Sequence, residues 1–371
     1  MRHPRGRPRI AHVTTAHPAT DNRILRKECI SLAEAGFEVH LLATDTESGT
    51  VSGVCVNALP KYGSRLRRML LGPLTVWRKL ICLRPDVVHV HDPELIPLAI
   101  LWRAFFRTPT IYDSHEDLPK QVMAKPYLRA WLRPAAVRLA RGLELAADRF
   151  LDAVVVATPS IARNFDHAAV ALVQNFPWAR DFADPTALDP NCNDVVYVGA
   201  ITETRGALEM MQAVERSAVG ARLILAGPLA STAVSTEIER CDATVKYLGY
   251  LPVRAVPQVI QATSIGLVLL HPLPNYVESQ PTKLFEYMAA GRPFIASDFA
   301  SWRELLGDAE CGVFIDPYNV EALRDAIDHL LTHPDEATAL GRTGRATFEK
   351  HFSFESQAAN LVALVEHLVD S

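Results

Sequence analysis

The sequence lacks paired cysteines, long apolar runs and a recognisable leader. Its six cysteines are scattered without a CxxC pair, which argues against a disulfide framework or a zinc site. The most apolar stretch, IPLAILWRAFF, is too short to span a bilayer and contains Arg103. The N-terminus is basic but has no apolar core of a signal peptide. We therefore expect a cytoplasmic protein that does not cross a membrane.

Three catalytic signatures are also missing. No D-x-D pair occurs, so the carboxylates that often hold a metal on a diphosphate are absent, and we predict no metal. No G-x-G-x-x-G follows the strand-like runs RIAHVT or DVVYVGA, which disfavours a nicotinamide dehydrogenase. No serine or cysteine lies in a nucleophile elbow. We expect no bound cofactor.

The length and the charge distribution favour two domains. A chain of 371 residues is too long for one ordinary domain. Residues 1–185 contain 25 Lys and Arg against 18 Asp and Glu, whereas residues 186–371 contain 13 against 24. A basic half joined to an acidic half indicates two domains with different partners, and we expect no nucleic acid among them.

Short β-branched runs alternate with helical patterns in both halves, which predicts two doubly wound α/β domains. We place an N-terminal domain at 1–175, a linker rich in proline and acids at 176–193, and a C-terminal domain at 194–350. A final helix over 351–371 could pack back toward the N-terminal domain. Because sites form at the carboxyl ends of parallel strands, a cleft between the two domains is the expected active site.

One segment, VESQPTKLFEYMAAGRP, places two carboxylates and an ammonium in apolar surroundings. Pro281 suits the first turn of a helix, so Glu278 would precede this helix and Glu286 would lie inside it. A helix N-terminus binds anions, and Lys283 in its first turn is unfavourable unless an anion neutralises both. A carboxylate can accept hydrogen bonds from two vicinal hydroxyls. The segment therefore predicts a site for a phosphorylated sugar; the alternative is an ordinary solvated surface helix.

This segment resembles the E-x7-E segment of family 4 glycosyltransferases, which have the GT-B fold of two Rossmann-like domains facing across a cleft. Other stretches resemble the same family in the same order along nearly the whole chain: HPATDNRILRKECISLAEAGFEVHLLA, VVHVHDPELIPLA, IYDSHEDLP, VQNFP and YVGAITETRGALEMMQAVE. They are similar to a bacterial branch that serves surface-polysaccharide assembly.

The resemblance implies an activity. A sugar would move from a UDP-, GDP- or dTDP-sugar to a hydroxyl of a saccharide or polyprenyl-diphosphate-linked acceptor, with retention of anomeric configuration. The donor phosphate itself would help to deprotonate the acceptor hydroxyl.

The resemblance also implies roles for residues of the C-terminal domain. Glu286 would hold the ribose hydroxyls, and Glu278 would hold hydroxyls of the transferred sugar. Arg205 matches the position of a family lysine that contacts the diphosphate, and its guanidinium can bind phosphate in bidentate fashion. The implied donor-binding residues are Gly199, Arg205, Gly249, Tyr250, Leu251, Thr282, Lys283 and Glu286.

The sequence departs from the family at two places. Ala200 follows the glycine of the YVG strand, where the family commonly has an arginine, and we predict that Lys283 supplies the missing charge. The stretch TTAHPATDNRI replaces the glycine-rich loop after the first strand, at the acceptor end of the expected site.

In the N-terminal domain, His115 follows the strand TIYDS and matches the family histidine near the reaction centre. With Glu278 it forms the predicted catalytic pair. For Asp21 we favour a second interpretation, an N-cap of the following helix. The residues assigned to the acceptor side are Asp21, Asn22, His91 and Glu116.

Residues 61–85 contain seven basic side chains and no acidic one. Apolar residues fall on one helical face and basic residues on the other, and Pro73 is expected to split the segment into two short helices. The segment is interpreted either as a helix that covers the sheet, or as peripheral contact with the anionic inner leaflet of the cytoplasmic membrane. The apolar face comprises Leu66, Met69, Leu70, Leu74, Trp77, Leu80 and Ile81, and the basic face comprises Arg65, Arg67, Arg68, Arg78 and Lys79.

Two other functions remain open. A nucleotide-sugar epimerase with the same two-domain form would convert free donor without an acceptor. A non-catalytic subunit that binds sugar nucleotides would bind donor without transferring it.

Overall fold

The computed structural model describes residues 6–115, 117–124 and 129–371, which form two compact units. We call Met1–Asn175 together with Phe354–Ser371 the N unit, and Phe176–Ser353 the C unit. Residues 176–193, interpreted from the sequence as a linker, are part of the C unit. Phe176 is buried there against Phe285 and Phe352, and these contacts hold the start of the segment against the core of the C unit.

The N unit has an eight-stranded sheet in the order β3-β4-β2-β1-β5-β6-β7-β8, in which β3 is antiparallel to β4 and the other pairs are parallel. The predicted parallel sheet is confirmed. Its β-branched strands are buried on both faces, which is the environment that parallel strands require. The sequence patterns missed β3, β4 and β8, which are short. The strands are β1 (Arg9–Pro18), β2 (Glu38–Thr44), β3 (Gly49–Val51), β4 (Val54–Ala58), β5 (Val87–Val90), β6 (Thr110–Ser114), β7 (Ala153–Val156) and β8 (Ala169–Leu172).

Helices cover this sheet. A π-helix (Asn22–Cys29) continues directly into the first α-helix. The sequence pattern also predicts a helix over 126–150, and the first residues of that range lie outside the described residues. The α-helices of this part are α1 (Ile30–Glu34), α2 (Arg65–Leu83), α3 (Ile96–Phe106), α4 (Leu118–Ala124), α5 (Arg133–Phe150) and α6 (Pro159–Ala162).

The predicted break at Pro73 is wrong, because α2 continues through this proline. The middle of the helix lies directly on β1. A Cβ atom on Gly72 would come within 3.2 Å of the Thr15 side chain, and Val76 and Leu80 are fully buried. Tertiary packing therefore outweighs the local cost of the proline, which is about 3 kcal/mol.

The C unit has a parallel six-stranded sheet in the order β11-β10-β9-β12-β13-β14, as the second repeat of the sequence pattern predicts. Its strands are β9 (Asp194–Val198), β10 (Arg222–Ala226), β11 (Val245–Tyr247), β12 (Ile265–Val268), β13 (Phe294–Ser297) and β14 (Gly312–Ile315). The remaining helices are α7 (Ala207–Glu215), α8 (Thr232–Arg240), α9 (Val256–Gln261), α10 (Pro274–Val277), α11 (Thr282–Ala289), α12 (Ala300–Leu306), α13 (Val320–Thr332), α14 (Pro334–His351) and α15 (Phe354–Asp370), the last of which belongs to the N unit.

Each sheet has a point at which the strand order reverses. In the N unit it lies between β1 and β5, and in the C unit between β9 and β12. Ligands of doubly wound domains bind outside the carboxyl ends of strands at such points. The residues that follow these strands are therefore the first candidates for a site. Within the described part of the chain, no helix combines the length and apolarity that a bilayer span requires.

Candidate functional site

The N unit contains a pocket of about 390 Å³ at the carboxyl ends of β1, β5 and β6. His91 and His115, both predicted from the sequence, line this pocket, whereas Glu116 lies outside the described residues. Helices α2, α4 and α5 supply the remaining walls. The lining residues are Ala16, His17, Arg65, Arg68, Met69, His91, Asp92, Pro93, Glu94, Tyr112, Asp113, His115, Leu118, Gln121, Val122, Ala136, Leu139, Ala140 and Leu143.

His115 stands at the end of β6 with about a quarter of its side chain exposed, and its Nδ1 lies 3.6 Å from Oδ2 of Asp113. Arg23 holds Asp113 with two hydrogen bonds of 2.9 and 2.8 Å. Burial alone would raise the pKa of Asp113, but the Arg23 guanidinium holds it well below the usual range. Asp113 is therefore an ionised carboxylate close to the His115 imidazole, at a distance too long for a hydrogen bond.

His91 lies deeper, at the end of β5. Its Nδ1 lies 3.0 Å from Asp113, its Nε2 lies 2.9 Å from Nδ1 of His12, and burial lowers its pKa to about 4. A neutral His91 can therefore donate from Nδ1 to Asp113 while its edge faces the pocket.

Asp92 organises the segment that replaces the glycine-rich loop. Its carboxylate accepts hydrogen bonds from the backbone N–H groups of Thr15 and Ala16 and from the Thr14 hydroxyl. No local pattern in the sequence predicts this role, because the partners of Asp92 are almost 80 residues away along the chain. It positions the end of β1.

Asp21 caps the π-helix, as we favoured from the sequence. Its carboxylate accepts from the N–H groups of Arg23 and Ile24 at 2.9 and 3.0 Å. Burial would raise the pKa of Asp21, but hydrogen bonds from His17 and Ile24 lower it to about 2. Asn22 begins the same helix, and neither Asp21 nor Asn22 lines the pocket.

Arg68 does not lie on a solvated basic face, which corrects the sequence interpretation. Its guanidinium forms hydrogen bonds of 2.7 and 3.0 Å to Glu94, which also accepts from the Thr15 hydroxyl. This pair ties the first turn of α2 to the segment after β5.

Behind the pocket, four buried side chains could hold a metal ion: His12, Glu28, His89 and His91. Burial lowers the pKa of His12 and His89 well below the usual range, and burial together with Asp113 raises that of Glu28. The cysteine pattern alone gave no sign of such a group. The signal in the sequence is the pair of histidines two positions apart in VVHVHD.

In the C unit, the predicted helix start is confirmed. Pro281 is the N-cap of α11, Glu286 lies within this helix, and Glu278 precedes it at the end of α10. The intervening turn is anchored by α12, since Nε1 of Trp302 donates to the Ser279 carbonyl at 2.7 Å. The two glutamates are thus fixed by separate elements.

Thr282 opens α11, and Lys283 beside it lies directly over Gly199 at the end of β9. A Cβ atom on Gly199 would come within 2.4 Å of the Lys283 side chain, and Gly199 has a φ of 138°, which favours glycine. Burial, and then the charge of Arg205, lowers the pKa of Lys283 to about 8, although Glu286 opposes this shift. An anion bound beside Lys283 would oppose this shift, because a nearby opposite charge favours the charged form of an amine.

Arg205 ends the short turn after β9, where it lies 5.8 Å from the ring centre of Tyr276. Gly206 follows with a φ of 71°, and a Cβ there would come within 2.4 Å of the Leu269 carbonyl oxygen. The backbone N–H of His271 donates to the Thr204 carbonyl at 3.0 Å. These close contacts hold the Arg205 turn against the end of β12, a constraint that the sequence did not reveal.

Gly249, Tyr250 and Leu251 form the turn after β11. The Gly249 carbonyl accepts from the Gly227 N–H at 2.8 Å, which joins this turn to the end of β10. Tyr250 is 74% exposed. An exposed aromatic ring at this edge of the sheet is available to contact a flat ligand such as a base.

Comparison with known families now gives the class of the protein. The family described as Glycosyl transferases group 1 matches residues 180–347, and the Glycosyl transferase 4-like domain matches residues 22–173. The chain is a glycosyltransferase of this group 1 and 4-like type. A relative, the glycogen synthase of Mycobacterium tuberculosis, is 23% identical over 367 residues, covering 93% of this glycosyltransferase and 81% of the relative.

Solved structures place the glycosyltransferase in the GT-B fold. Sucrose-phosphate synthase from Thermosynechococcus elongatus superposes with a TM-score of 0.77 at 18% identity, covering 98% of this chain and 99% of the other. HepE from Anabaena, solved in complex with UDP-glucose, superposes with a TM-score of 0.72 at 14% identity, covering 97% and 99%. The predicted fold class is confirmed.

The lowered pKa of Lys283 predicts pH-dependent binding of UDP. Below a pH of about 8 the ammonium is charged and attracts the diphosphate; as the pH rises above about 8 it loses its proton. We expect calorimetry to show about tenfold weaker UDP binding at about pH 9 than at about pH 7.

Lys283→Met tests whether this dependence comes from Lys283. The variant should bind UDP weakly at both pH values and leave uridine binding unchanged. Lys246→Met, at an exposed lysine of the C unit, is the matched control. Equal losses of uridine and UDP affinity would contradict a phosphate contact.

Proposed function

We propose that this glycosyltransferase moves a hexose from a nucleoside diphosphate sugar to a hydroxyl of a lipid-linked saccharide, with retention of configuration. The lining of the N-unit pocket supports a lipid-linked acceptor. Part of its lining is apolar and consists of Met69, Leu118, Val122, Leu139 and Leu143, and Arg65 and His17 line the same pocket. A polyprenyl diphosphate presents a similar combination, an apolar chain joined to a strong anion.

The C unit supports the donor part. Lys283 and Arg205 supply cationic charge beside the N-terminus of α11, where free backbone N–H groups also favour an anion. Glu286 would bind the ribose and Glu278 the sugar, as the family resemblance implies. UDP-sugars are the first donors to test, because HepE was solved with UDP-glucose.

The proposed transfer needs no metal. The charge on the leaving diphosphate would be stabilised by Lys283, Arg205 and helix N–H groups, and preorganised charges of this kind usually contribute most of the rate acceleration in such reactions. His115, which lies close to the ionised Asp113, would contact the reacting sugar.

The assay supplies purified protein with UDP-, GDP- or dTDP-sugars labelled in the sugar, first in a thermal-shift screen and then with acceptors. Label that enters a solvent-extractable polyprenyl diphosphate saccharide supports the proposal, and NMR of the new anomeric centre tests retention. Transfer to soluble glucan only would favour a second candidate, a polysaccharide synthase like the relative from Mycobacterium tuberculosis. Conversion of free donor would indicate an epimerase, and binding without transfer a non-catalytic subunit.

We further propose that α2 lies on an anionic membrane surface. Only part of the predicted apolar face turns inward, with Leu80 buried and Trp77 packed edge-on against Trp102. Six further apolar side chains of α2 are between 46% and 67% exposed: Leu66, Met69, Leu70, Leu71, Leu74 and Ile81. At 100° per residue, Leu66, Leu70, Leu74 and Ile81 share one stripe of about 80°.

Neighbouring α3 extends this apolar surface, because Phe105 and Phe106 are exposed and lie 6.1 and 5.8 Å from Trp77. Arg67 and Arg78 border the stripe. An apolar stripe with a basic border is typical of helices that lie in the membrane interface. Each basic residue near an anionic surface contributes about 1 kcal/mol.

The membrane proposal predicts cosedimentation with phosphatidylglycerol vesicles and not with phosphatidylcholine vesicles at low salt. Arg67→Glu, Arg78→Glu and Lys79→Glu together should abolish it, and Leu70→Ser with Leu74→Ser should weaken it. Arg68 is left unchanged because it pairs with Glu94.

The matched control variant replaces three exposed basic residues of the C unit by Glu and should still bind the vesicles. These residues are Lys246, Arg254 and Arg342. Wild-type protein that stays in the supernatant with anionic vesicles would refute membrane contact.

A further inference from the structure

His12, Glu28, His89 and His91, which we call the histidine cluster, lie together in the core of the N unit. All four are fully buried, and their ligand-type atoms lie within 4.8 Å of one another. Among the described residues, no hydrogen bond reaches Nε2 of His12, either oxygen of Glu28 or either nitrogen of His89. Two of these five atoms, Oε2 of Glu28 and Nδ1 of His89, lie 4.0 Å apart, whereas Oε1 of Glu28 lies 3.0 Å from Nε of Arg23.

Buried polar atoms without hydrogen bonds lower the stability of the fold unless a ligand binds them. Each buried polar group without a partner destabilises a fold by about 1–3 kcal/mol. Two such atoms, Oε2 of Glu28 and Nδ1 of His89, would already offset a sizeable part of the total stability of a typical domain, about 5–15 kcal/mol. The neighbouring side chains on the same face of β1 and β5, Ile10 and Val87, are fully buried and apolar, and they offer these atoms no hydrogen-bond partner.

We propose that the histidine cluster binds one Zn²⁺ ion that stabilises the N unit. Three imidazoles and one carboxylate form a nitrogen- and oxygen-donor set that Zn²⁺ prefers, and a closed site with four protein ligands is typical of structural zinc. The ligand atoms would be Nδ1 of His12, Nδ1 of His89, Nε2 of His91 and Oε2 of Glu28.

The positions of the rings fit one shared ion. A Zn–N bond of about 2.0–2.1 Å puts each ring centre about 3.2 Å from the ion, so two rings bound at the tetrahedral angle lie about 5.2 Å apart, and a pair at 4.6 Å would move apart by about 0.6 Å. The ring centres are 4.6 Å apart for His12 and His89, 4.6 Å for His89 and His91, and 5.2 Å for His12 and His91.

The distances between ligand atoms require small adjustments. Nδ1 of His12 lies 2.9 Å from Nε2 of His91, and Oε2 of Glu28 lies 4.0 Å from Nδ1 of both His12 and His89. Ligand atoms of a tetrahedral zinc lie about 3.3 Å apart. Nδ1 of His12 and Nε2 of His91 would move apart by about 0.4 Å, Oε2 of Glu28 would move about 0.7 Å closer to His12 and His89, and the ion would replace the hydrogen bond between His12 and His91.

The second layer of contacts also suits a metal. Nδ1 of His91 lies 3.0 Å from Asp113, the carboxylate–histidine arrangement that fixes the tautomer of a ligand, and Arg23 in turn holds Asp113. Oε1 of Glu28 lies 3.0 Å from Nε of Arg23, which leaves Oε2 for the ion.

The site would join three separate elements. His12 and His89 are paired in register on β1 and β5, His91 follows β5, and Glu28 comes from the π-helix. An ion there would hold the π-helix against the sheet. A local π-helix often marks a functional position, and the cluster gives this one a reason.

The test is the zinc content of the full-length protein, purified without chelator and also refolded with excess ZnCl₂. Mass spectrometry of the metal should find about one zinc per chain after dialysis, and its removal by a strong chelator should lower the melting temperature by several degrees. His89→Gln should retain less than about a tenth of the zinc. His329→Ala with His333→Ala is the control, because these exposed histidines stack at 4.2 Å and could bind zinc adventitiously.

If His89→Gln does not fold, wild-type protein refolded with Co²⁺ tests whether the histidine cluster binds a metal ion. Strong visible absorption of four-coordinate cobalt at one equivalent supports the buried site. The proposal is overturned if the refolded wild type holds less than about 0.1 zinc per chain, or if the zinc disappears in the His329 and His333 control.

Discussion

Glu286→Ala should abolish binding of the nucleotide donor. Glu286 lies on α11, one turn after Lys283, and the proposed role of its carboxylate is to accept hydrogen bonds from the ribose hydroxyls. Charge-assisted hydrogen bonds contribute about 1.5–3 kcal/mol each, so losing two of them should weaken binding by about 10²-fold or more. Calorimetry with the nucleoside diphosphate identified by thermal shift measures this loss.

Two further variants make the Glu286 result specific. Glu278→Ala should leave the affinity for the free nucleoside diphosphate unchanged and weaken only the sugar nucleotide. Glu304→Ala, at an exposed glutamate of α12, should leave both unchanged. Wild-type affinity in the Glu286 variant would show that the ribose assignment is wrong.

His115→Ala should reduce turnover by about 10² or more while changing donor affinity little. His115 belongs to the N unit, where it lines the pocket beside Asp113, whereas the proposed donor-binding residues all lie in the C unit. An imidazole that orients or polarises the reacting groups affects the transition state more than the bound nucleotide. Steady-state kinetics with the acceptor, together with calorimetry of the donor, separates these two effects.

A structural role for His115 would give a different pattern. His115→Ala would then lower the melting temperature and leave the turnover of the folded fraction unchanged. His329→Ala, at an exposed histidine of the C unit, controls for general effects of histidine removal. Unchanged turnover in a stably folded His115 variant would exclude this residue from the reaction.

Features that depend on neighbouring residues along the chain could be predicted from the amino-acid sequence. Buried β-branched runs separated by amphipathic segments predicted two doubly wound sheets, since a parallel strand needs apolar faces on both sides. Pro281 predicted the start of α11, and Asp21 predicted the cap of the π-helix, because both signals act within one turn.

Contacts between distant residues depended instead on the packing of the folded chain. Pro73 remains inside α2 because Gly72 lies against Thr15 of β1, and Arg68 turns inward because Glu94 meets it from another element. The apolar stripe of α2 is exposed because another face of the helix packs against the sheet. Amphipathic spacing alone does not specify which face this is.

The histidine cluster shows the same limit. His12 and His89 stand 77 positions apart, and only the parallel register of β1 and β5 brings them side by side under Glu28. Local pattern fixes the type of each element, because it depends on short-range propensity and periodicity. Which polar side chains from different elements come into contact depends on the strand order and the register of the sheet. No single segment of the sequence encodes these two properties.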